Sequence, residues 1–196
     1  MLSEISYIII LYFVFSITEW LVHKYIMHGD KDKTTIARDH VIHHIHTLPT
    51  MKLVTSDTYG ADIDKYLGLY FTWKSSIIVF CIGIIEGFMV RNISGFHVSN
   101  FFIIIIVSIL CVYQSSFWNT IHPDIHYITT KLSWREGIPG WNGWKYLFGL
   151  IPIQNSNLYE WLKQNHRMHH LRKGVQKGNF NVTLPGADFI FGSYYN

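Results

Sequence analysis

Histidines are the side chains of this sequence best suited to chemistry, and ten of the twelve fall into four short motifs. The motifs are HKYIMH (His23, His28), HVIHH (His40, His43, His44), HPDIH (His122, His126) and HRMHH (His166, His169, His170). Neutral imidazole binds iron, copper, zinc and nickel, so the ligand type predicts a metal site without choosing the metal. His46 and His97 stand outside the motifs, and we expect them to be ordinary core or surface residues.

The spacing within the motifs predicts how they bind. Positions i, i+3 and i+4 share one face of a helix, so each HxxHH is expected to clamp metal from one helical turn. His122 and His126 have the same i, i+4 relation, although Pro123 predicts that His122 begins a new helix. His23 and His28 lie about 140° apart on a regular helix, which predicts either that they flank two metals or that the helix breaks near His28.

The number of histidines predicts more than one ion. A single ion takes roughly four to six ligands, and ten imidazoles exceed that number, so we expect two metals. Histidine ligands usually donate their second ring nitrogen to a nearby acceptor. Three carboxylates lie close enough in sequence to be those acceptors, Glu19, Asp39 and Asp124.

The elements that position these motifs are apolar. Hydrophobic residues make up 49% of the chain and charged residues only 15%, which is typical of a membrane protein. Three apolar segments, at about 5–22, 75–90 and 98–118, are predicted transmembrane helices. Lys74 and Glu86, which lie within or beside the second segment, are expected to be snorkelling or interfacial groups. The net charge of +3 forms no basic stripe, so we expect no nucleic-acid partner.

The remaining segments complete an all-α prediction with 1–196 as a single domain. Residues 138–153 mix tryptophan, glycine and aliphatic residues, which predicts an interfacial or re-entrant segment. A helix is predicted from Asn157, capped by Asn155 or Ser156 and ending before Gly174, and the tail from Asn179 is predicted to be irregular. Three spans place all histidine motifs on one membrane face as a helical cap, and the distribution of Lys and Arg predicts that this face is cytoplasmic.

The four motifs together resemble the histidine boxes of the fatty acid hydroxylase and sterol desaturase superfamily of membrane di-iron enzymes. The C-terminal ADFIFGSYY is similar to that family's tail, through Asp188, Phe191, Gly192 and Ser193. Among these enzymes, the order of motifs is most similar to that of fatty acid 2-hydroxylases.

The resemblance implies two iron ions and O2 as co-substrate, with zinc able to occupy the same ligands in a purified protein. It implies hydroxylation of a fatty acyl chain or a ceramide-like lipid, and electrons from a separate cytochrome b5-like or ferredoxin-like protein. The expected location is the endoplasmic reticulum of a eukaryote or the inner membrane of a bacterium. We expect the acyl tail to lie between the spans and the 138–153 segment, walled by tryptophans, namely Trp118, Trp134, Trp141, Trp144 and Trp161.

Other functions remain open at this point. Carotenoid hydroxylases have a first motif similar to HKYIMHG, and sterol hydroxylases and desaturases share the same chemistry. A membrane metal-binding protein that transports metal would carry polar ligands inside its spans, whereas FFIIIIVSIL carries none. A bis-histidine haem electron carrier would place histidines on facing helices within the membrane.

Overall fold

The computed structural model describes residues 2–30, 32–54, 69–128, 132–140, 146–147, 151–152, 156–171 and 177–196 of the chain. Its elements are α1 (Leu2–Leu21), a π-helix (Val22–Met27), α2 (Thr35–His46), α3 (Trp73–Ser94), α4 (Asn100–Ile125), β1 (Tyr146–Leu147), β2 (Ile151–Pro152), α5 (Asn157–Leu171) and α6 (Ala187–Ile190). The two short strands pair antiparallel, with Tyr146 opposite Pro152. The predicted helical fold is therefore confirmed, apart from this two-residue pair.

Within these residues, three helical segments are long and apolar enough to cross a membrane: Leu2–Met27, Trp73–Ser94 and Asn100–Ile125. They match the three predicted spans, although the third begins later, at Asn100, because the Ser99 hydroxyl caps it by accepting from Phe102 N at 3.1 Å. Large apolar side chains on their outer faces are exposed, among them Ile85 and Phe101. A bilayer would cover such surfaces.

Small residues let the three spans pack closely. On α3, Gly83 and Gly87 form a GxxxG pattern, and the Phe15 ring on α1 and Ile103 on α4 approach the places where their Cβ atoms would stand. The Tyr7 hydroxyl donates to the carbonyl of Gly87 at 3.1 Å. Substitution of either glycine would push the neighbouring helices away from α3.

The prediction that His122 begins a new helix is wrong, because α4 runs through Pro123 without interruption to Ile125. A proline removes one helical hydrogen bond, and here it lies in the last turn, where few bonds remain to be lost. The prediction for α5 is confirmed from Asn157 to Leu171, with Ser156 as the cap accepting from Tyr159 N.

Only part of the 138–153 segment belongs to the described residues. Its first residues pack on α4, where the carbonyls of Ile138 and Pro139 accept hydrogen bonds from Asn119 and Ser116. Positions 141–145, 148–150 and 153 lie outside the described residues, so the predicted interfacial placement of the segment stays a prediction.

The C-terminal tail was predicted to be irregular, and apart from the short α6 it has no regular element. It is nevertheless buried, with Phe180, Val182 and Leu184 all 2% exposed or less. The tail lies along α1, where Ser16 Oγ donates to the Leu184 carbonyl at 2.7 Å and accepts from Ala187 N at 2.9 Å. The end of the chain is thereby brought beside the first histidine motif.

Candidate metal centre

The ten motif histidines converge into two adjacent groups. One, which we call the deep group, has ring nitrogens within 4.8 Å of one another and consists of His43, His122, His126, His166 and His170. The second contains His23, His28, His40 and His169 at the same spacing. His44 completes it, since its Nε2 is 3.1 Å from Nε2 of both His40 and His169, and we call these five the cavity group.

Each HxxHH motif divides between the two groups, so the prediction that each clamps metal from one turn is wrong. On α5 the i, i+4 pair His166 and His170 enters the deep group, with their Nε2 atoms 3.1 Å apart, whereas His169 enters the cavity group. On α2 the division is reversed. The i+3 residue, His43, belongs to the deep group, whereas His40 and His44 belong to the cavity group. The two helices therefore each supply ligands to both groups and join them.

A π-helix brings the two histidines of the first motif together. From Val22 to Met27 the backbone takes i→i+5 hydrogen bonding, and His28 N continues this pattern to the His23 carbonyl at 3.1 Å. Residues five apart thereby come onto one face, and the imidazoles of His23 and His28 stack with centroids 5.3 Å apart. Of the two expected arrangements, the helix break near His28 is confirmed, because the helix ends at Met27 with His28 as its cap. The pair does not flank two metals, because both rings belong to a single group.

Backbone carbonyls orient four of the rings. In the deep group, Nδ1 of His122 contacts the Leu69 carbonyl at 3.2 Å, and Nδ1 of His126 contacts the Met51 carbonyl at 2.9 Å. In the cavity group, Nδ1 of His23 contacts the Phe180 carbonyl at 2.6 Å and Nδ1 of His169 the Gly178 carbonyl at 2.8 Å. A carbonyl only accepts, so each of these Nδ1 atoms carries the proton, and each Nε2 keeps a free lone pair.

Met51 shows that the backbone is arranged for this contact. Its φ of 72° lies in the left-handed region, which non-glycine residues rarely adopt. Its side chain is buried, and its carbonyl is the one that accepts from His126. Strained backbone of this kind persists only where the surrounding structure enforces it, and here it orients a ring of the deep group.

The lone pairs converge with the spacing of a coordination sphere. Nε2 of His40 lies 3.1–3.2 Å from Nε2 of three neighbours, His23, His28 and His44. Its single proton could satisfy only one of these contacts. Metal–nitrogen bonds of roughly 2.1 Å place neighbouring ligand nitrogens roughly 3.0–3.4 Å apart. The geometry of the cavity group therefore fits a cation at its centre.

The deep group contains several unpaired nitrogens. Among the described residues, neither ring nitrogen of the fully buried His43 has a hydrogen-bond partner, nor has Nε2 of His122. Buried polar atoms without partners cost free energy, of the order of 1–3 kcal/mol each. A bound ion would satisfy Nε2 of His122 and one of the two nitrogens of His43, so the residues of this group also fit a metal. The buried histidine cluster can hold metal, and its donor set is compatible with iron, zinc, copper or nickel.

The electrostatics keep these imidazoles neutral. Burial lowers the pKa of His126 to about 4 and that of His44 to about 3. Burial, reinforced by the neighbouring imidazoles, lowers the pKa of His43 and His166 well below the ordinary value. Only the neutral ring has a lone pair to give to a metal, so the site is in its metal-binding protonation state at neutral pH.

The carboxylates predicted to support the rings do not contact them. Glu19 accepts instead from Thr183 N and Leu184 N of the tail. Asp39 is paired with its neighbour Arg38, and Asp124 accepts from the Tyr159 hydroxyl. Carbonyls have taken the expected role of these side chains, and Glu19 acts one step further away by fixing the tail that carries two of those carbonyls.

Asp188, singled out in sequence only by resemblance, holds the same tail. Its Oδ1 accepts from Phe180 N at 3.0 Å and its Oδ2 from Asn181 N at 2.7 Å. Asn179 is fixed by Asn165 on α5, through a side-chain hydrogen bond of 2.8 Å. The sequence predicted no role for the asparagines. Their only signal is that three of them, Asn165, Asn179 and Asn181, cluster around a buried turn.

His23 is one of the residues that line an apolar cavity of about 180 Å³. Its walls come from α1, the π-helix, α2, α3 and α4, and include Phe15, Ile78 and Trp118. Of the tryptophans predicted to form a wall, Trp118 lines the cavity, whereas Trp134 is exposed and Trp161 stacks on Phe189. Trp141 and Trp144 lie outside the described residues. The cavity runs among the membrane helices, and the described part of the 138–153 segment does not line it.

Comparison with family models, with curated proteins and with solved structures gives no match.

Proposed function

We propose that this protein is a membrane-bound oxidoreductase that uses a histidine-ligated pair of iron ions and O2 to hydroxylate a lipid, a fatty acyl chain or a ceramide-like molecule. The observation that carries the proposal is the convergence of ten imidazoles into two groups of five, one of which contributes His23 to the wall of an apolar cavity among the membrane helices. His23 thus belongs both to the cavity group and to the wall of the apolar cavity.

Each group would hold one ion through its Nε2 atoms. Five neutral imidazoles per ion leave room for a further ligand on an ion that takes six. Iron in such a site supplies activation of O2 for oxidation of an unactivated C–H bond. The chain's own contribution is to hold the rings rigidly, through four carbonyls and through the two helices that join the groups.

The cavity would bind the lipid chain and orient it. Apolar side chains line most of its wall, so the hydrocarbon of a lipid would be buried there without loss of hydrogen bonds. Because His23 forms part of the same wall, the bound chain would reach the cavity group before the deep group. Exclusion of water by the same walls would protect the oxidation from side reactions.

The partners and location follow from the same proposal. Electrons would come from a separate cytochrome b5-like or ferredoxin-like protein. By the positive-inside rule the histidine cap would lie on the cytoplasmic face, of the endoplasmic reticulum or of a bacterial inner membrane.

Lipid mass spectrometry tests the proposal. Cells that express the protein should accumulate a lipid that has gained one oxygen atom, and cells that express His43→Ala should not. A lipid that has instead lost two hydrogen atoms would assign desaturation, the second reaction open to such a centre. Identical lipid profiles with and without the protein, at normal iron loading, would contradict the proposal.

A further inference from the structure

The cavity wall contains polar side chains that the proposed oxidation does not use. Thr18 on α1, Glu86 on α3 and Gln114 on α4 all line it, among residues that are otherwise largely apolar. Glu86 was expected to snorkel toward the membrane surface, and this expectation is wrong, because its carboxyl accepts a hydrogen bond from the Thr18 hydroxyl inside the bundle. Lys74, by contrast, is exposed at the start of α3.

Of these three polar residues, Gln114 is the most informative about what the cavity binds. It is 5% exposed, it lines the cavity, and within the described part of the chain its carboxamide makes no hydrogen bond. An amide that lines an apolar cavity without a protein partner loses the hydrogen bonds that it would make with bulk water, unless a molecule in the cavity supplies them. Leucine would fill the same volume without this loss, so the carboxamide is best explained by a ligand that hydrogen-bonds to it.

The carboxyl of Glu86 lies in a similar situation. An ionisable side chain inside a membrane span is costly unless it serves a function. One of its oxygens accepts from Thr18, and the residue is partly accessible from the cavity. A ligand group that can both donate and accept would satisfy the carboxyl and the carboxamide together.

We propose that the cavity selects a lipid that carries a hydroxyl group part-way along its hydrocarbon chain, bound by Gln114 and Glu86. A hydroxyl both donates and accepts, whereas a carbonyl cannot donate to Glu86. A hydroxyl also remains neutral, as the surrounding apolar wall requires. The inference rests on the proposed function, because it specifies the lipid that this site would oxidise.

Helix geometry gives the depth of this hydroxyl site. Thr18 precedes His23 by five residues and Gln114 precedes His122 by eight, which at a rise of 1.5 Å per residue is roughly 8–12 Å along the helices. The hydroxyl would therefore lie roughly 8–12 Å along the helices from the histidine rings. A lipid with its hydroxyl beside the reacting carbon would leave Gln114 and Glu86 unsatisfied.

Equilibrium binding tests the inference. The iron-loaded full chain in detergent is titrated with radiolabelled octadecanoic acid. The label is then displaced either by unlabelled octadecanoic acid or by hydroxyoctadecanoic acids whose hydroxyl stands at successive positions. One net hydrogen bond is worth about tenfold in affinity. We expect an isomer with an internal hydroxyl to bind about tenfold more tightly than the plain acid. Gln114→Leu should abolish this preference while it retains binding of the plain acid.

Two further variants keep the test decisive. Thr18→Val, which removes the hydroxyl that holds Glu86, should reduce the preference, and Ile82→Val, in the same wall, should leave it unchanged. Equal binding of all acids by the wild type, or a preference that survives in Gln114→Leu, would overturn the inference while iron-dependent lipid oxidation could still stand. Failure of every acid to bind would overturn the inference together with the lipid substrate of the proposed function.

Discussion

The deep group and the cavity group have matching compositions but different surroundings. Each group contains two pairs of rings and one further ring. The paired residues are spaced i, i+4, or i, i+5 in the π-helix, and the further ring is the i+3 residue of an HxxHH motif. The deep group is the more enclosed, with His43, His122, His126 and His166 fully buried. In the cavity group His28 is partly exposed, and the ammonium group of Lys177 lies 3.1 Å from its Nδ1.

The two groups also differ in what orients them. The deep group depends on carbonyls of the connections around α2 and α3, those of Met51 and Leu69. The cavity group depends on the C-terminal tail, through Gly178 and Phe180. Two similar ligand sets can therefore be perturbed separately, and the tail is the part of the molecule through which the cavity group can be altered.

Loss of one central ligand from either group should have the largest effect. His43→Ala in the deep group and His169→Ala in the cavity group should each reduce product formation by at least about a hundredfold, because both ions are needed. Membrane insertion, measured by fractionation, should be unchanged in both variants. Normal lipid oxidation in either variant would remove its group from the site.

Asp188→Asn should weaken metal binding by the cavity group and leave metal binding by the deep group unchanged. The substitution places an amide opposite the backbone N–H groups of Phe180 and Asn181, so the carbonyl that orients His23 loses its support. We expect metal affinity of the cavity group to fall by about 10- to 100-fold, with the deep group retained. Metal titration of the purified protein measures this as one tight and one weakened site.

Asp39→Asn is the matched control, since Asp39 is adjacent to His40 in sequence but pairs with Arg38. Both groups of the Asp39→Asn variant should bind metal with the affinities of the wild type. If Asp188→Asn weakens both groups equally, the separate support of the cavity group by the tail is wrong.

Acidification should destabilise the metal-free protein through both groups. The folded pKa of His126 is about 4, below its ordinary value of 6.5, so below pH 6.5 the unfolded chain binds the proton and the folded chain does not. The free energy of unfolding should then fall as pH decreases from 6.5 toward 4, by up to about 1.4 kcal/mol per pH unit from this residue alone. Denaturation of the chelator-treated protein at successive pH values measures the slope. A stability that is constant from pH 7 to pH 5 would contradict the neutral, buried state of the rings.

Thr34→Ala should have the smallest effect, and it should not distinguish the groups. Thr34 caps α2 by accepting from Ala37 N at 3.0 Å, and loss of such a cap costs about 1 kcal/mol. Because α2 supplies ligands to both groups, both should weaken slightly and by similar factors in the same metal titration. A selective loss from one group would show that α2 does not join them as a rigid unit.

Particular residues show how far the sequence could predict this site. The pairs His40–His44 and His166–His170 were foreseeable, because i, i+4 positions share a helical face whatever surrounds them. The π-helix that unites His23 with His28 depends on a change of hydrogen-bond register that the packing of the helix determines. The exchange of His43 and His169 between the groups depends on how α2 and α5 face each other.

The supporting contacts were less accessible to sequence reasoning. Every residue has a carbonyl, so the sequence has no signal that the carbonyls of Met51 or Gly178 will orient a ring. Carboxylates near in sequence, such as Glu19, were therefore favoured, although Glu19 accepts hydrogen bonds from the tail and contacts no ring. The three spans were predictable because length and apolarity alone define them, whereas the inward-facing position of Glu86 depends on helix packing.

Metal analysis and a visible spectrum of the detergent-purified wild type test whether each group holds one ion. We expect two irons per chain, or two zinc ions in their place, and no haem absorption band. A single ion per chain, no bound metal after reconstitution with iron, or a haem band would contradict this expectation.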